Sequence, residues 1–418
     1  MASPTLEDAR SSVKLKDYSN AEQLYQQIIK TKPTTHDFSN QEKAIFELGD
    51  LYKDLKQTEK LNSLIPEART VISTLAKSKA AKTIRYLIDL YDFIPDSTDA
   101  QINALKDSIE WSTKEKRTFL AQSLHIRLAT VYFEKKQAYQ SALAIINNLL
   151  REFKKLDDKS SLVEVQLLEA KVYHSLRNLA KARAALASAR TSANAIYCPT
   201  STQADLDNMS GLLHAEDKDY KTAYSYFYEA FESYNTQDDE INAIKVLKYM
   251  LLSKIMLNLI DDVKQILSSK YASKYNSKEI DAMKSVSKAY ANRSLKDFEN
   301  SLVVYKQELS SDPIIKSHFN ELYDTLLEQN LVKVIEPFSV VEIDHIAKII
   351  GLDVKQVEGK LSQMILDEVF YGVLDQGNGW LYIYEKPQTD ATYTSSLELV
   401  NNLSNVVELL YEKAASLK

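Results

Sequence analysis

The sequence predicts a mainly α-helical protein, in which paired helices are repeated along the chain and a small module with a β-hairpin follows them. Three observations support this prediction. Only seven glycines and eight prolines occur in 418 residues, so residues that break helices are rare. A helical pattern returns about every 40 residues. Between residues 338 and 385 the hydrophobic pattern changes from helical to alternating.

The repeated pattern consists of a polar residue, an aromatic or aliphatic residue, two further residues, and a small or apolar residue that begins an amphipathic stripe. Eight positions align on this last residue: Ala21, Leu61, a weaker copy near Ile102, Ala142, Ala182, Ala223, Val263 and a shortened copy at Phe298. Another amphipathic helix precedes each copy. Helix pairs at this period resemble tetratricopeptide repeats, although the period is longer, and they predict a right-handed superhelical solenoid. We expect one domain of repeats over residues 1–215 and further repeats over residues 216–312.

The order helix, helix, hairpin predicts a winged helix over residues 313–385, which completes a second domain that begins at residue 216. Pro313 suits the first turn of the leading helix. Ser339 and Glu342 have the spacing of a capping box, and Gly351 suits a left-handed helix end. The remaining signals are Asp353 with Gln356 at the next helix start, strands at Phe370–Leu374 and Trp380–Tyr384, and a turn at Gly377–Gly379.

The charge of this module argues against reading DNA. The second helix carries four carboxylates and two lysines, namely Asp353, Glu358, Asp367, Glu368, Lys355 and Lys360. The wing has no Lys or Arg, and a duplex requires cations that replace its counterions. We therefore interpret the module as a protein-docking unit. Its hairpin, with Phe370, Val373 and Tyr382, is expected to pair with or lie against the sheet of a neighbouring protein.

The last segment, 386–418, predicts a polar linker and one further helix. Ser395 and Glu398 have capping-box spacing. The apolar residues that follow are spaced alternately three and four apart: Val400, Leu403, Val407, Leu410, Ala414 and Leu417. Such a heptad stripe predicts a bundle with helices of other chains. The alternative is that the helix folds back onto its own winged helix.

One stretch is basic in a chain whose net charge is −6. Residues 171–204 contain no Asp or Glu, and their cations are Lys171, Arg177, Lys181, Arg183 and Arg190. One interpretation is a solvated helix face. The other is a patch for an acidic surface of a partner, carried by Arg177, Lys181, Arg183 and Arg190.

No arrangement of residues predicts catalysis, a metal or another cofactor. The six histidines lack the spacing of a metal site, and the glycine pair of the wing is explained by its turn. We therefore expect a protein that is not an enzyme. The single cysteine, Cys198, and the charged first residues favour an intracellular protein without a signal peptide.

Helical repeats, a winged helix and a terminal helix together resemble the PCI-domain scaffold proteins, which occur in the proteasome lid, the signalosome and a translation initiation factor. The resemblance is most specific to the proteasome lid and rests on five strings: REFKKLDDK from Arg151, KVYHSLRNLAKARA from Lys171, LKYMLLSKIMLNLIDDVK from Leu247, HFNELYDTLLEQNL from His318 and KLSQMILDEVFYGVLDQG from Lys360.

The resemblance implies a non-catalytic scaffold of the lid that serves ubiquitin-dependent protein degradation in cytoplasm and nucleus. It implies three kinds of partner: other PCI lid subunits, ATPase base subunits and core-particle α subunits, with no nucleic acid and no membrane. The repeats would clamp the lid to the base and core particle, and the last helix would enter a bundle. A PCI scaffold of the signalosome is the alternative within the family.

Overall fold

The computed structural model of the chain describes residues 6–15, 17–30, 38–72, 77–95, 97–269, 274–275, 277–310, 313–385 and 391–416. These residues are mainly α-helical, as the sequence predicts, with one small sheet. They form two compact units, Met1–Val246 and Leu247–Lys418. This division lies between residues 246 and 247, whereas the sequence predicts a domain boundary between residues 215 and 216.

Unit 1 is a succession of paired helices. Its helices are α1 (Leu6–Lys14), α2 (Tyr18–Lys30), α3 (Phe38–Asp54), α4 (Thr58–Ile72), α5 (Lys77–Asp89) with the 3₁₀ turn Leu90–Phe93, α6 (Thr98–Lys114), α7 (Thr118–Glu134), α8 (Tyr139–Leu156), α9 (Lys159–Ser175), α10 (Leu179–Asn194), α11 (Thr200–Glu216), α12 (Tyr220–Thr236) and the first part of α13 (Glu240–Met256), as far as Val246.

Many of the turns between consecutive helices, in both units, share one backbone geometry. A residue in the left-handed region stands two positions before the next helix; in the described part of the chain such residues are Lys56, Lys116, Gln137, Asp157, Arg177, Lys218, Asp238, Asn258 and Arg293. The following amide returns to the preceding helix, as Asn178 N–H does to the carbonyl oxygen of Tyr173 at 2.9 Å. Several of the residues that follow a left-handed one, such as Asn178 and Asp219, then cap the next helix. Each of these connections ends one helix and begins another within two to four residues.

The aligned positions of the repeat are all buried. Ala21, Ala142, Ala182 and Ala223 have no exposed surface, and the larger residues at the remaining positions, Leu61, Ile102, Val263 and Phe298, are buried too. A small side chain at this position lets consecutive helices approach closely, while its apolar neighbours fill the core. The predicted repeat and its period are therefore confirmed by where the chain buries its apolar surface.

Unit 2 continues with helices and ends in the small sheet. Its further elements are α14 (Ile260–Ser268), α15 (Lys278–Asn292), α16 (Leu295–Val304), α17 (Lys306–Ser310), α18 (Pro313–Ile335), β1 (Val340–Glu342), α19 (Ile343–Ile350), α20 (Val354–Leu366), β2 (Tyr371–Asp375), β3 (Trp380–Tyr384) and α21 (Ala391–Ser416). The long helix α18 begins at Pro313, as predicted. Gly351 ends α19 with a φ of +85°, which also agrees with the prediction.

The winged helix differs from the prediction at its first strand. The supposed capping box, Ser339 with Glu342, is wrong because these residues belong to an extended segment that pairs with β3. The amide of Ile383 donates to the carbonyl oxygen of Ser339 at 2.9 Å. Helix α19 therefore begins only at Ile343, and Glu342 precedes it without a side-chain cap. Asp353 precedes α20 as predicted, again without a side-chain cap.

The sheet has the order β1-β3-β2, with both pairs antiparallel. Consequently β3 is the central strand. The turn between β2 and β3 is held by Asp375, whose side chain accepts from the amides of Gly377 and Asn378 at 3.0 and 3.3 Å. The Asn378 side-chain amide also donates to Asp375 at 2.9 Å and contributes most to lowering the pKa of the Asp375 carboxyl, which the two backbone bonds lower further. Gly379 completes the turn with a φ of +72°.

Helix α21 begins at Ala391, four residues before the predicted start. The capping box proposed at Ser395 and Glu398 is therefore wrong, because both residues lie inside the helix. The Ser396 hydroxyl instead donates to the carbonyl oxygen of Thr392 at 2.6 Å. The predicted linker residues 386–390 and the seam residue Leu417 lie outside the described residues.

Candidate protein-interaction surfaces

Four of the five cations of the basic stretch pair with carboxylates within unit 1. These four lie on α9, α10 and the turn between them, and they face carboxylates of α11 and the turn after it. The pairs are Lys171 with Asp205 at 3.2 Å, Arg177 with Glu216 at 3.2 Å, Arg183 with Asp217, and Arg190 with Asp207 at 2.6 Å. This pairing was not predicted from the sequence, because the carboxylates begin just after the acid-free stretch ends. A partner surface for these residues stays a prediction, but it is not a patch of unpaired charge.

Arg190 is held more firmly than its neighbours. Its guanidinium lies 4.4 Å from the ring centre of Tyr226 and donates to the hydroxyl of that tyrosine at 2.9 Å. Its other partner, Asp207, has only 4% of its side chain exposed. A buried carboxylate requires such a partner, so Arg190 supports the packing of α10 on α11.

Lys181 differs from the other predicted cations. Its ammonium lies 5.5 Å from the ring centre of Tyr173, and it forms no ion pair with any residue that the structure describes. It points into a groove between α8, α9 and α10 rather than toward α11. The predicted set therefore divides, with Lys181 on a different surface from Arg177, Arg183 and Arg190.

The hairpin offers one open edge rather than two. Tyr382 lies on the central strand and pairs with Val340 on one side and Val373 on the other, so its backbone is not at an edge. The amide of Ile383 donates to the carbonyl oxygen of Ser339, and the amide of Ile343 donates to that of Gly379. These two bonds show which residues of β3 direct their backbone groups toward β1. Because hydrogen-bonded pairs alternate along antiparallel strands, Val373 turns its amide toward β3. Phe370 lies just before β2 and is half-buried.

The sheet also has an uncovered face that the sequence analysis did not identify. Val340, Val373 and Tyr382 are direct neighbours across the three strands and therefore point to the same side. Trp380 and Tyr384 extend this side along β3, and Trp380 packs edge-on against Tyr382 at 6.4 Å between ring centres. Val373 is 53% exposed, whereas Leu381 on the opposite side is completely buried. The alternation in Trp380–Tyr384 was the signal that could have revealed this aromatic face.

The acidic helix of the module has no excess of cations in the structure. Lys360 pairs with Glu328 of α18 at 3.0 Å. Lys355 is the other lysine of α20, which is flanked by Asp353 and Asp367. The charge distribution around α20 therefore agrees with the prediction that the module prefers a protein partner to a phosphate backbone.

Helix α21 exposes its apolar side chains along the whole described length. Leu403 and Leu410 are 60% and 62% exposed, and Val400 and Val407 are similarly uncovered. Packing against its own winged helix would bury this stripe, so that alternative is not what the structure shows. At 100° per residue, further apolar residues widen the stripe to an arc of roughly 140°. The residues that widen it are Leu399, Val406 and Tyr411, all exposed, while Leu397 and Leu409 are exposed outside this arc. An arc this wide can contact more than one partner helix.

Burial shifts the pKa of several titratable groups among the described residues. Burial lowers the pKa of His125 and His174, the latter despite Glu216 beside it. Burial also raises the pKa of Cys198 and of Tyr86, to about 12 for the tyrosine, whose hydroxyl donates to Asp50 at 2.7 Å.

Among the described residues, no group of histidine, cysteine or carboxylate side chains has the arrangement of a metal site. The described helices include none with the length and apolarity required to span a membrane.

Comparisons with known proteins cover nearly the whole chain. The model of the 26S proteasome regulatory subunit RPN6 N-terminal domain matches residues 2–135. The PCI domain model matches residues 292–385, and the model of the 26S proteasome subunit RPN6 C-terminal helix domain matches residues 389–415. The chain is 57% identical to the 26S proteasome regulatory subunit RPN6 of Saccharomyces cerevisiae, over 99% of this chain and 98% of that protein. The chain belongs to the RPN6 family.

Other members of the RPN6 family are similar over comparable lengths. The chain is 50% identical to the probable 26S proteasome regulatory subunit rpn6 of Schizosaccharomyces pombe, over 99% of this chain and 98% of that protein. It is also 50% identical to the 26S proteasome non-ATPase regulatory subunit 11 homolog of Arabidopsis thaliana, over 94% of each. The resemblance to proteasome-lid PCI proteins drawn from the five sequence strings is thereby confirmed.

Proposed function

We propose that this RPN6-family chain is a non-catalytic scaffold subunit of the 26S proteasome lid and serves ubiquitin-dependent protein degradation in the cytoplasm and nucleus. The observation that carries the proposal is the 57% identity to a 26S proteasome regulatory subunit across nearly the full length of both proteins. The three matched segments include the amino-terminal helices, the winged helix and the last helix.

Each part of the chain has a separate role in this proposal. The amino-terminal repeats clamp the lid to ATPase base subunits and core-particle α subunits. The PCI unit joins other PCI subunits of the lid through its sheet, whose aromatic face is uncovered in the chain alone. Helix α21 enters a bundle with helices of other subunits, and its wide exposed apolar arc supports that role.

Purification of the tagged chain from its own cells tests this proposal. Mass spectrometry should identify lid, ATPase and core-particle subunits in the purified complex. A matched variant that ends after residue 388, and so lacks α21, should recover fewer of them. Recovery of signalosome subunits in place of ATPase and core-particle chains would refute assignment to the proteasome and favour the alternative within the PCI proteins.

A further inference from the structure

An open groove of about 430 Å³ lies between α8, α9 and α10. Its walls carry three cations, Arg151 and Lys154 from α8 and Lys181 from α10. Glu169 and Tyr173 of α9 lie between them. Apolar and small side chains complete the lining, namely Leu150, Ala184 and Ala185, so the groove combines positive walls with an uncharged surface.

The cations of this groove differ from those facing α11, because they have few partners. Arg151 is exposed and forms neither an ion pair nor a side-chain hydrogen bond with any described residue. Lys181 has only the face of Tyr173, at 5.5 Å from the ring centre. Lys154 attracts the Glu169 carboxylate, but burial has the larger effect and raises the pKa of that carboxyl.

The charge balance is therefore three cations against one carboxyl in a chain whose net charge is −6. On α9 and α10, the nearby cations Lys171, Arg183 and Arg190 are each paired with a carboxylate. A local excess of positive charge that the fold leaves unbalanced favours binding of a negative group from outside the chain.

The polar side chains of the groove indicate the class of that group. Asn147, Gln166 and Ser188 line it together with the cations, and their amides and hydroxyl can donate to and accept from a peptide backbone. The Tyr173 ring beside Ala184 offers apolar contact for one side chain. A nucleic-acid strand fits less well, because only one aromatic ring, that of Tyr173, is present for its bases to stack on.

We propose that this groove binds an extended, acidic segment of another protein. Arg151 and Lys181, on opposite walls of the groove, bind the carboxylates of this segment. The backbone of the segment forms hydrogen bonds with the amide side chains that lie between these two cations. The proposal goes beyond the scaffold function and does not depend on it, since it concerns the isolated chain. Among the predicted interaction residues, it gives Lys181 a role distinct from that of Arg183 and Arg190.

Fluorescence anisotropy on the full chain tests this binding. The probe is the fluorescein-labelled peptide Gly-Glu-Asp-Tyr-Glu-Asp-Gly, and the reference probe has Gln and Asn in place of its Glu and Asp. Arg151→Glu with Lys181→Glu should weaken binding of the acidic probe by roughly tenfold or more and reduce its dependence on salt. Lys245→Glu with Lys288→Glu adds the same charge at exposed positions outside the groove, and its affinity should stay within roughly twofold of the original chain.

A milder pair, Arg151→Gln with Lys181→Gln, removes the cations without introducing repulsion. It should weaken binding while the melting temperature stays near that of the original chain. The proposal is overturned if both charge-reversed proteins lose affinity equally, or if the neutral probe binds as well as the acidic one. Tighter binding of a single-stranded oligonucleotide of equal charge, lost in the groove variants, would also overturn it.

Discussion

At the scale of single residues, the connections between helices hold lysine, arginine and other non-glycine residues in the left-handed region. Lys56 has a φ of +54°, is exposed, and precedes Gln57, whose amide donates to the carbonyl oxygen of Tyr52 at 3.0 Å. The left-handed conformation costs an L-residue about 1–2 kcal/mol, and glycine avoids this cost. The stability gained by placing glycine at such a position is partly offset, because glycine also makes the unfolded chain more flexible.

Lys56→Gly should therefore raise the stability of unit 1 by about 0.5–1 kcal/mol. Lys56→Val should lower it, because a β-branched side chain suits this conformation poorly. The midpoint of urea unfolding measures both changes. A lower midpoint for the glycine variant would show that the backbone at Lys56 is not left-handed.

Arg190 and Arg183 looked equivalent in the sequence, yet their surroundings differ. Arg190 pairs with the buried Asp207 and stacks on Tyr226, whereas the Arg183–Asp217 pair is largely exposed. Arg190→Ala leaves a buried carboxylate whose remaining side-chain partner is Gln203, at 3.0 Å. We expect the free energy of unfolding to fall by about 2 kcal/mol for Arg190→Ala and by less than about 1 kcal/mol for Arg183→Ala.

Thermal unfolding of the two arginine variants compares these losses directly. Arg190→Lys is a useful intermediate, since lysine keeps the charge but lacks the planar group that stacks on Tyr226. Equal melting temperatures for Arg190→Ala and Arg183→Ala would mean that Asp207 finds other partners. In that case both arginines would return to the set of candidate partner contacts.

At the scale of elements, the hairpin shows how the position of an amide decides the effect of a substitution. The Val373 amide faces β3, whereas the Val340 amide faces away from the sheet. Val373→Pro should remove a bond that holds β2 to β3 and destabilise the winged helix by about 1–3 kcal/mol. Val340→Pro is the matched control and should change stability much less. Hydrogen exchange of the Tyr382 and Tyr384 amides reports on the hairpin in each variant. Retained protection in the Val373 variant would contradict this register.

Elements with strong local signals could be predicted from the sequence, and elements set by distant pairing could not. The burial of repeat positions such as Ala142 and Ala182 could be predicted, because their periodicity is visible within a short stretch of sequence. Strand β1 was missed because three residues, Val340–Glu342, become a strand only by pairing with β3, some 40 residues later. The same reason hid the partners of the basic stretch, since the carboxylates of α11 meet α9 and α10 only after packing.

At the scale of the whole molecule, the stability of the chain and its assembly depend on different apolar surfaces. The repeat positions are covered within the chain, whereas the heptad stripe of α21 is exposed from Val400 to Leu410. Apolar burial contributes about 25 cal/mol per Å² only where water is removed. Residues of this stripe therefore add little to the stability of the isolated chain, and their contribution is expected when other helices cover them.

Leu403→Asp with Leu410→Asp tests this separation, because both leucines lie at the centre of the stripe and are 60% and 62% exposed. In the isolated chain the new carboxylates remain in water, so the melting temperature should change by less than about 2 °C. In a helical bundle they would be buried without partners, and incorporation into the assembled complex should be lost. Asn401→Asp with Asn405→Asp places the same charge on the polar side of α21 and should assemble normally. Native gel electrophoresis of the purified complexes measures incorporation. A large drop in the melting temperature of the Leu403 and Leu410 variant, or its normal incorporation, would show that this stripe does not mediate assembly.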